Sequence, residues 1–317
     1  MFHLVRSVRE LETKKHARAR LDQARPLSEK TDVPLSPRTR ALIRDALDED
    51  VGRGDRTSQA VLPPGRKLGA FVAAKAPGIL CGLEIAAAVF KTAPGVKVKV
   101  LSRDGSALVP GTRVLSIEGA GGAILTRERM ALNFLQRLSG IATLTSHYVE
   151  RLQGLPCRVL DTRKTTPGWR ELEKYAVACG GGTNHRRGLD DMILIKDNHL
   201  VALAEFENPI GEAVRRARRR FPRLKVEVEC DTLEQVALAL RAKPDFILLD
   251  NMDVETLRAA VKAARSAKSK AKLEASGNVT LDSLRAIAET GVDFISVGAL
   301  THSAPGLDLS LEAAWAK

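Results

Sequence analysis

The clearest pattern in the chain is a series of short, branched apolar runs in its second half, alternating with longer amphipathic stretches. CRVLD (157–161), MILIK (192–196), KVEVEC (225–230), DFILLD (245–250), AKLEAS (271–276) and DFISVG (293–298) read as buried strands, each spaced to admit a crossover helix. Helical periodicity near 201–221, 232–242, 254–267 and 280–290 supplies most of those helices. Six such units predict a parallel α/β layer or barrel, with an open doubly wound sheet as the alternative, because periodicity carries no information about closure. The first half differs. LGAFVAA (68–74), VKVKVLS (96–102) and TRVLSIEG (112–119), separated by APG and VPG turns, predict a small sheet preceded by a helix in RTRALIRDALDED and a turn-rich loop. The stretch 126–152 then reads as a long helix, with Thr126 as N-cap and Glu128 at the positive end of its dipole. Ala131, Phe134, Leu135 and Leu138 form its buried stripe and leave Arg129, Asn133, Gln136 and Arg137 on another face. Residues 1–35 lack such periodicity, end in RPLSEKTDVPLSP, and read as a solvated basic arm.

Composition adds a constraint on partners. A chain of 317 residues with 44% hydrophobic content can bury a sizeable core, which excludes a disordered or small disulfide-stapled protein. Its net charge of +12 and pI near 9.8 favour anionic partners: nucleic acid, an acidic membrane surface, or a phosphorylated or carboxylated small molecule. Only 4% of residues are aromatic, which weakens a base-stacking platform. Cys81, Cys157, Cys179 and Cys230 form no CxxC pair, pointing to neither a zinc cage nor a disulfide framework and to a reducing, cytoplasmic setting. No apolar run approaches the roughly 18 residues of a membrane span, and MFHLV is too short for a secretory signal.

The chemistry gathers where the strands finish, the place at which parallel α/β folds build their sites. The first strand ends in Asp161 followed by Thr162, Arg163 and Lys164; the others end in Lys196, Glu229, Asp250, Ser276 with Gly277, and Gly298. Any one of these has a bland explanation, an Asp as a helix cap or a Lys reaching solvent. Basic groups on two strands and carboxylates on the next two, all on one rim, are harder to explain by capping. DTRKTTPGWR leads into a helix with Thr166 and Pro167 at its start and GGG (180–182) at its end. TNHRRG follows, where His185 and Arg186 join Arg163, Lys164 and Lys196 as a clamp suited to a dianion. Glu229 and Asp250 offer hard oxygens for Mg²⁺ shared with a phosphate-rich substrate. They also resemble a glycosidase pair, but a neutral sugar has no use for the surrounding cations. SGN (276–278) and VGA (297–299) expose backbone N–H groups where barrels commonly hold phosphate.

At these residues the sequence resembles the quinolinate phosphoribosyltransferase family, also called carboxylating nicotinate-nucleotide pyrophosphorylase. The resemblance runs from about Ala41 to the C-terminus and rests on ERMALNFLQRLSGIAT, DTRKTTPGWRELEKYAV, GGGTNHRRGLDDMILIKDNH, VEVEC, ILLDNM, LEASGN and ISVGALTHS, in that order. It implies an N-terminal α/β sandwich domain (36–143, joined by 301–317) and an incomplete, six-stranded parallel α/β barrel (144–300). It implies a homodimer whose sites are completed by the neighbouring subunit, with a hexamer of dimers as a larger assembly. The implied reaction joins quinolinate and phosphoribosyl pyrophosphate into nicotinate mononucleotide, pyrophosphate and CO₂, a step of NAD biosynthesis. Carried over by motif, Arg129 comes from the partner and joins Thr162, Arg163, Lys164, His185, Arg186 and Lys196 around the substrate. Glu229 and Asp250 hold ribose hydroxyls and Mg²⁺, Ser276, Gly277, Asn278, Val297, Gly298 and Ala299 bind phosphates, and His302 is a further substrate-binding residue. Lys164, Lys196, Glu229 and Asp250 are the expected catalytic groups. The departure is Asn278, where many relatives carry glycine; Asn is the least costly substitute for a left-handed backbone.

Two rivals follow. A related phosphoribosyltransferase, such as the relatives encoded with molybdate transporters, would act on another anionic acceptor. A monocarboxylate would leave part of the basic cluster unpaired. A nucleic-acid-binding protein would instead bind through residues 1–35 with strong salt dependence, and is disfavoured.

Overall fold

The computed structural model describes residues 35–315, with the backbone alone for Ala314 and Trp315. Apart from Leu35, the expected basic arm lies outside the described residues. In chain order the elements are α1 (Pro37–Val51), α2 (Arg56–Val61), β1 (Lys67–Ala74), β2 (Gly78–Ile79), α3 (Leu83–Lys91), β3 (Lys97–Val100), β4 (Ala107–Leu108), β5 (Arg113–Ala120), α4 (Gly121–Arg151) and β6 (Arg158–Leu160). They continue as α5 (Arg170–Cys179), β7 (Ile193–Ile195), α6 (Asp197–Val201), α7 (Pro209–Arg220), β8 (Val226–Cys230), α8 (Leu233–Ala242), β9 (Phe246–Asp250), α9 (Val254–Ser266), β10 (Lys272–Ser276), α10 (Leu284–Ala288), β11 (Phe294–Ser296), α11 (Ala299–His302) and β12 (Leu309–Trp315). No helix among the described residues is long and apolar enough to cross a membrane.

The chain divides into two compact units. The first takes the described residues up to Ser146, then Pro167–Gly181, then the described residues from Ala304. Its four-stranded antiparallel sheet has the order β12-β1-β5-β3, so the C-terminal strand returns to the first unit, with Val72 opposite Leu311. Alternation in β1 buries Leu68, Ala70, Val72 and Ala74. The buried stripe expected on α4 is present: Ala131, Phe134, Leu135 and Leu138 are at most 1% exposed. Helix α4 nevertheless begins at Gly121, not at Thr126. Thr126 lies inside it, where Oγ1 donates to Gly122 O (2.7 Å) and Asp55 Oδ2 (2.9 Å).

Helix α5 also departs from expectation. It starts at Arg170 after Trp169, rather than at Thr166 and Pro167, and packs with the first unit, although the sequence reading counted it with the barrel. Its apolar spacing explains the placement: Leu172, Tyr175, Ala176 and Cys179 all face inward. Arg137, read as surface, is half-buried and pairs with the fully buried Glu173 at 2.8 Å.

The second unit comprises His147–Thr166 and Gly182–Ser303. Its six strands are all parallel, in the order β6-β11-β10-β9-β8-β7, so β6 and β7 are the two edges and no pairing between them closes the barrel. Register sets Glu229 beside Leu248, Leu248 beside Glu274, and Ser276 beside Asp250. The helix expected over 201–221 is shorter, α7 alone, started by Asn208, whose side chain accepts from Gly211 N, with Pro209 following; the short α6 ends where the expected helix would begin. The one expected over 280–290 shrinks to α10.

Candidate active site

The carboxyl ends of β6 to β11 carry Thr162, Arg163, Lys164, Lys196, Glu229, Asp250, Ser276–Asn278 and Val297–Ala299; His185 and Arg186 stand on the loop before β7, His302 on α11, and Arg129 is exposed on α4 in the first unit. After β6, Thr162 Oγ1 accepts the Lys164 N–H (3.0 Å), turning the chain so that Arg163 and Lys164 follow at the strand's end. Thr301 Oγ1 donates to Lys164 O (2.7 Å), tying this turn to α11, and the Lys164 side chain and His302 ring both come against Gly298. Asp161 is fully buried; its Oδ1 accepts the His185 N–H at 2.8 Å, so it anchors the TNHRRG loop.

On the basic side, Arg186 Nη1 donates to Met192 O (3.2 Å). Burial, then the neighbouring Arg163 guanidinium, lowers the Arg186 pKa against the opposing pull of Glu227 and Asp191. Two guanidiniums held this close repel one another, an arrangement that favours a bound anion. Lys196, at the end of β7, reaches Glu229 Oε2 at 2.8 Å, joining the basic side to the acidic one. Its own backbone N–H is taken by His199 Nδ1 (2.9 Å).

The acidic side is larger than expected. Glu229 and Asp250 are joined by Asp231, whose pKa is raised by burial first and then by Asp250 and Asp197, with Lys196 opposing. Asp197 and Asp231 each lie one or two residues past an expected strand-end group, in KDN and ECD. Next to Asp250, Asn251 donates from Nδ2 to Asp250 Oδ2 (2.7 Å) and from its backbone to Ser276 O (2.9 Å). Gly277 has φ 103° and Asn278 φ 46°, so Asn278 adopts the left-handed backbone expected of it.

Behind the rim lies a group that the strand-end reading missed. Glu227 and Glu274 sit two residues before Glu229 and Ser276, hence on the same strand faces, and are 0% and 1% exposed. His185 Nε2 lies 3.0 Å from Glu227 Oε2 and 3.4 Å from Glu274 Oε2. Burial pushes Glu227 up to about 7, with His185 opposing. Burial also favours a neutral His185 ring, but Glu227 and Glu274 outweigh it and raise the pKa. At Nδ1 the demand is different, because that atom accepts the Arg186 N–H at 2.8 Å. A second ring proton would point straight at that N–H, so the bond holds the ring in its Nε2-protonated form and leaves excess protons to the carboxylates. The period-two pattern of VEVE was the available signal for Glu227.

Comparison with known proteins accords with this site. Residues 55–139 match the N-terminal domain, and 141–312 the C-terminal domain, of quinolinate phosphoribosyl transferase. The chain is 46% identical over 272 residues to a probable carboxylating nicotinate-nucleotide pyrophosphorylase of Synechocystis sp., covering 85% of this chain and 90% of that protein. It is 42% identical over 277 residues to the carboxylating nicotinate-nucleotide pyrophosphorylase of Mycobacterium leprae, covering 86% and 96%. The solved nicotinate-nucleotide pyrophosphorylase of Francisella tularensis superposes with a TM-score of 0.82 at 40% identity, over 90% of this chain and 100% of that one. Both domain matches in their expected order, together with a rim divided between cations and carboxylates, establish that this chain belongs to the quinolinate phosphoribosyltransferase family.

Proposed function

We propose that this protein transfers the phosphoribosyl group of phosphoribosyl pyrophosphate to the ring nitrogen of quinolinate, releasing pyrophosphate and CO₂ to give nicotinate mononucleotide for NAD synthesis. The observation that carries this reading is the divided rim: Arg163, Lys164, Arg186 and Lys196 on one side, Glu229, Asp231 and Asp250 on the other. A dicarboxylate acceptor matches the first set, and a ribose carrying pyrophosphate matches the second. The cations neutralise the ring carboxylates and then favour the electron-rich ring formed as CO₂ departs. Glu229 and Asp250 bind ribose hydroxyls and tolerate positive charge on the sugar carbon as its bond to pyrophosphate breaks. Backbone groups of Ser276–Asn278 and Val297–Ala299, with His302, take the phosphates.

Mg²⁺ fits this donor set, because the oxygens are hard and Asp231, raised first by burial, is raised further by the neighbouring Asp250 and Asp197 carboxylates. Glu229 and Asp250 would hold it, and when bound it would offset charge on the departing pyrophosphate. The protein acts as a homodimer in the cytoplasm, Arg129 being supplied by the partner subunit.

Product formation from quinolinate, phosphoribosyl pyrophosphate and Mg²⁺ tests the assignment, with nicotinate as the comparison acceptor. Quinolinate should give nicotinate mononucleotide and CO₂ in equal amounts. Equal or better use of nicotinate would sink the substrate assignment.

A further inference from the structure

Glu227 and Glu274 are costly to the fold. Both are buried; Glu227 Oε1 and Glu274 Oε1 meet no hydrogen-bond donor among the described residues, and Glu227 Oε2 has the His185 ring at 3.0 Å as an ion-pair contact rather than an aligned hydrogen bond. Buried carboxylates so poorly supplied with donors weaken a protein, and an apolar side chain of similar size often serves stability better. The sheet itself accepts one here: on β9, Leu248 stands in register between Glu229 and Glu274.

What the two carboxylates do hold is His185. They face its Nε2 from two different strands, β8 and β10, and so fix the plane of the ring. With the ring fixed, Nδ1 becomes a stationary acceptor for the Arg186 N–H, while Asp161 holds the His185 N–H one residue earlier. Two successive backbone amides of the loop are thereby pinned. The Arg186 side chain, tethered at Met192 O, leaves from the second of them. His185 has both ring nitrogens turned to protein groups, so it is better placed to set the position of Arg186 than to donate to a ligand.

We infer that Glu227 and Glu274 are positioning residues, which lock the His185 ring and through it the Arg186 backbone, and so set the grip of Arg186 on the acceptor's carboxylate. This rests on the acceptor being quinolinate. The same three side chains are close enough to share a metal ion, which gives the idea a distinct way to fail.

The test uses Glu274→Gln and the double variant Glu227→Leu/Glu274→Leu, with Arg186→Ala as a partner substitution. Glu274→Gln should keep its Tm, while the double variant, which leaves the His185 Nε2 proton without an acceptor, should lower it modestly; each should leave the KM for phosphoribosyl pyrophosphate within about twofold, while the KM for quinolinate rises by about tenfold or more. In the Arg186→Ala background, adding Glu274→Gln should cost less than about twofold more, because both changes remove the same interaction. Ring-nitrogen NMR of His185, assigned with His185→Gln, should report one Nε2-protonated form in the unaltered protein and an averaged ring in Glu274→Gln.

That spectrum needs no turnover, so it stands apart from the substrate assignment: a protein that ignores quinolinate yet has a locked ring loses the proposed function and keeps the lock. An unchanged quinolinate KM, additive losses with Arg186→Ala, or equal rises in both KM values with a lowered Tm would each overturn the positioning role. So would a stoichiometric divalent ion in the unaltered protein that disappears in Glu274→Gln.

Discussion

At Asn278 and Gly277 two adjacent residues share a left-handed backbone, yet they differ in what a side chain would meet. Asn278 is exposed and already carries a side chain at φ 46°, where Asn costs little. Asn278→Gly should therefore change stability by no more than about 1 kcal/mol and leave the KM for phosphoribosyl pyrophosphate near its original value. Gly277 has no such latitude, because at φ 103° a β-carbon would overlap the Asn251 side-chain oxygen. Gly277→Ala must push Asn251 away from Asp250 and Ser276, to both of which it is hydrogen bonded. The expected result is a rise of about tenfold or more in the KM for phosphoribosyl pyrophosphate, with a smaller change for quinolinate. Steady-state kinetics with each substrate varied in turn checks both variants, and an active Gly277→Ala enzyme with normal constants would show that this turn does not shape the donor site.

At the scale of elements, the return of the C-terminal segment depends on one helix position. Gly140, in the middle of α4, lies against the Pro305 carbonyl so closely that a β-carbon would overlap it. Nearby, Gln136 Nε2 donates to Leu309 O (2.8 Å) and the Leu307 N–H donates to Gln136 O (2.9 Å). Gly140→Ala should loosen 304–309 and with it β12, costing about 1–3 kcal/mol despite the better helix propensity of Ala. A lowered Tm, with faster hydrogen exchange in β12 than in β10, would mark the damage as local to this return. Much of this level was legible from the chain. The six parallel strands announced themselves because branched runs buried on both faces are hard to mistake. Helix α3 was missed because LEIAAAVFK has almost no polar face and so no period to read. The start of α4 was hidden because GG at 121–122 signals a turn, and only the packing of Ile124 and its neighbours carries the helix through. The rim of the site was legible because it lies at strand ends. The pair beneath it was not, because a buried glutamate has no signal in composition and betrays itself only through strand parity.

For the whole molecule, the charge of +12 and the position of Arg129 belong to one question, how many chains make a site. Residues 1–40 hold 10 Lys and Arg against 5 Asp and Glu, so much of the surplus lies outside the chemistry described here. Arg129 is different: it is exposed on a helix whose neighbouring faces are buried, and it belongs to the unit that does not hold the other site residues. If a two-fold related partner supplies it, each site combines Lys164 from one chain with Arg129 from the other. Chains carrying Arg129→Ala and chains carrying Lys164→Ala should then each form nearly inactive homodimers. In a heterodimer of the two, one site receives both defects and the other receives neither. Random mixing makes half the dimers hybrid, so about a quarter of all sites should be intact and the mixture should recover about a quarter of the original activity. Were Arg129 to serve its own chain, every site in the hybrid would keep one defect and no activity would return. Co-expression with two affinity tags, followed by purification on both, isolates the hybrid and raises the expected recovery to about half, the value that separates a shared site from a private one.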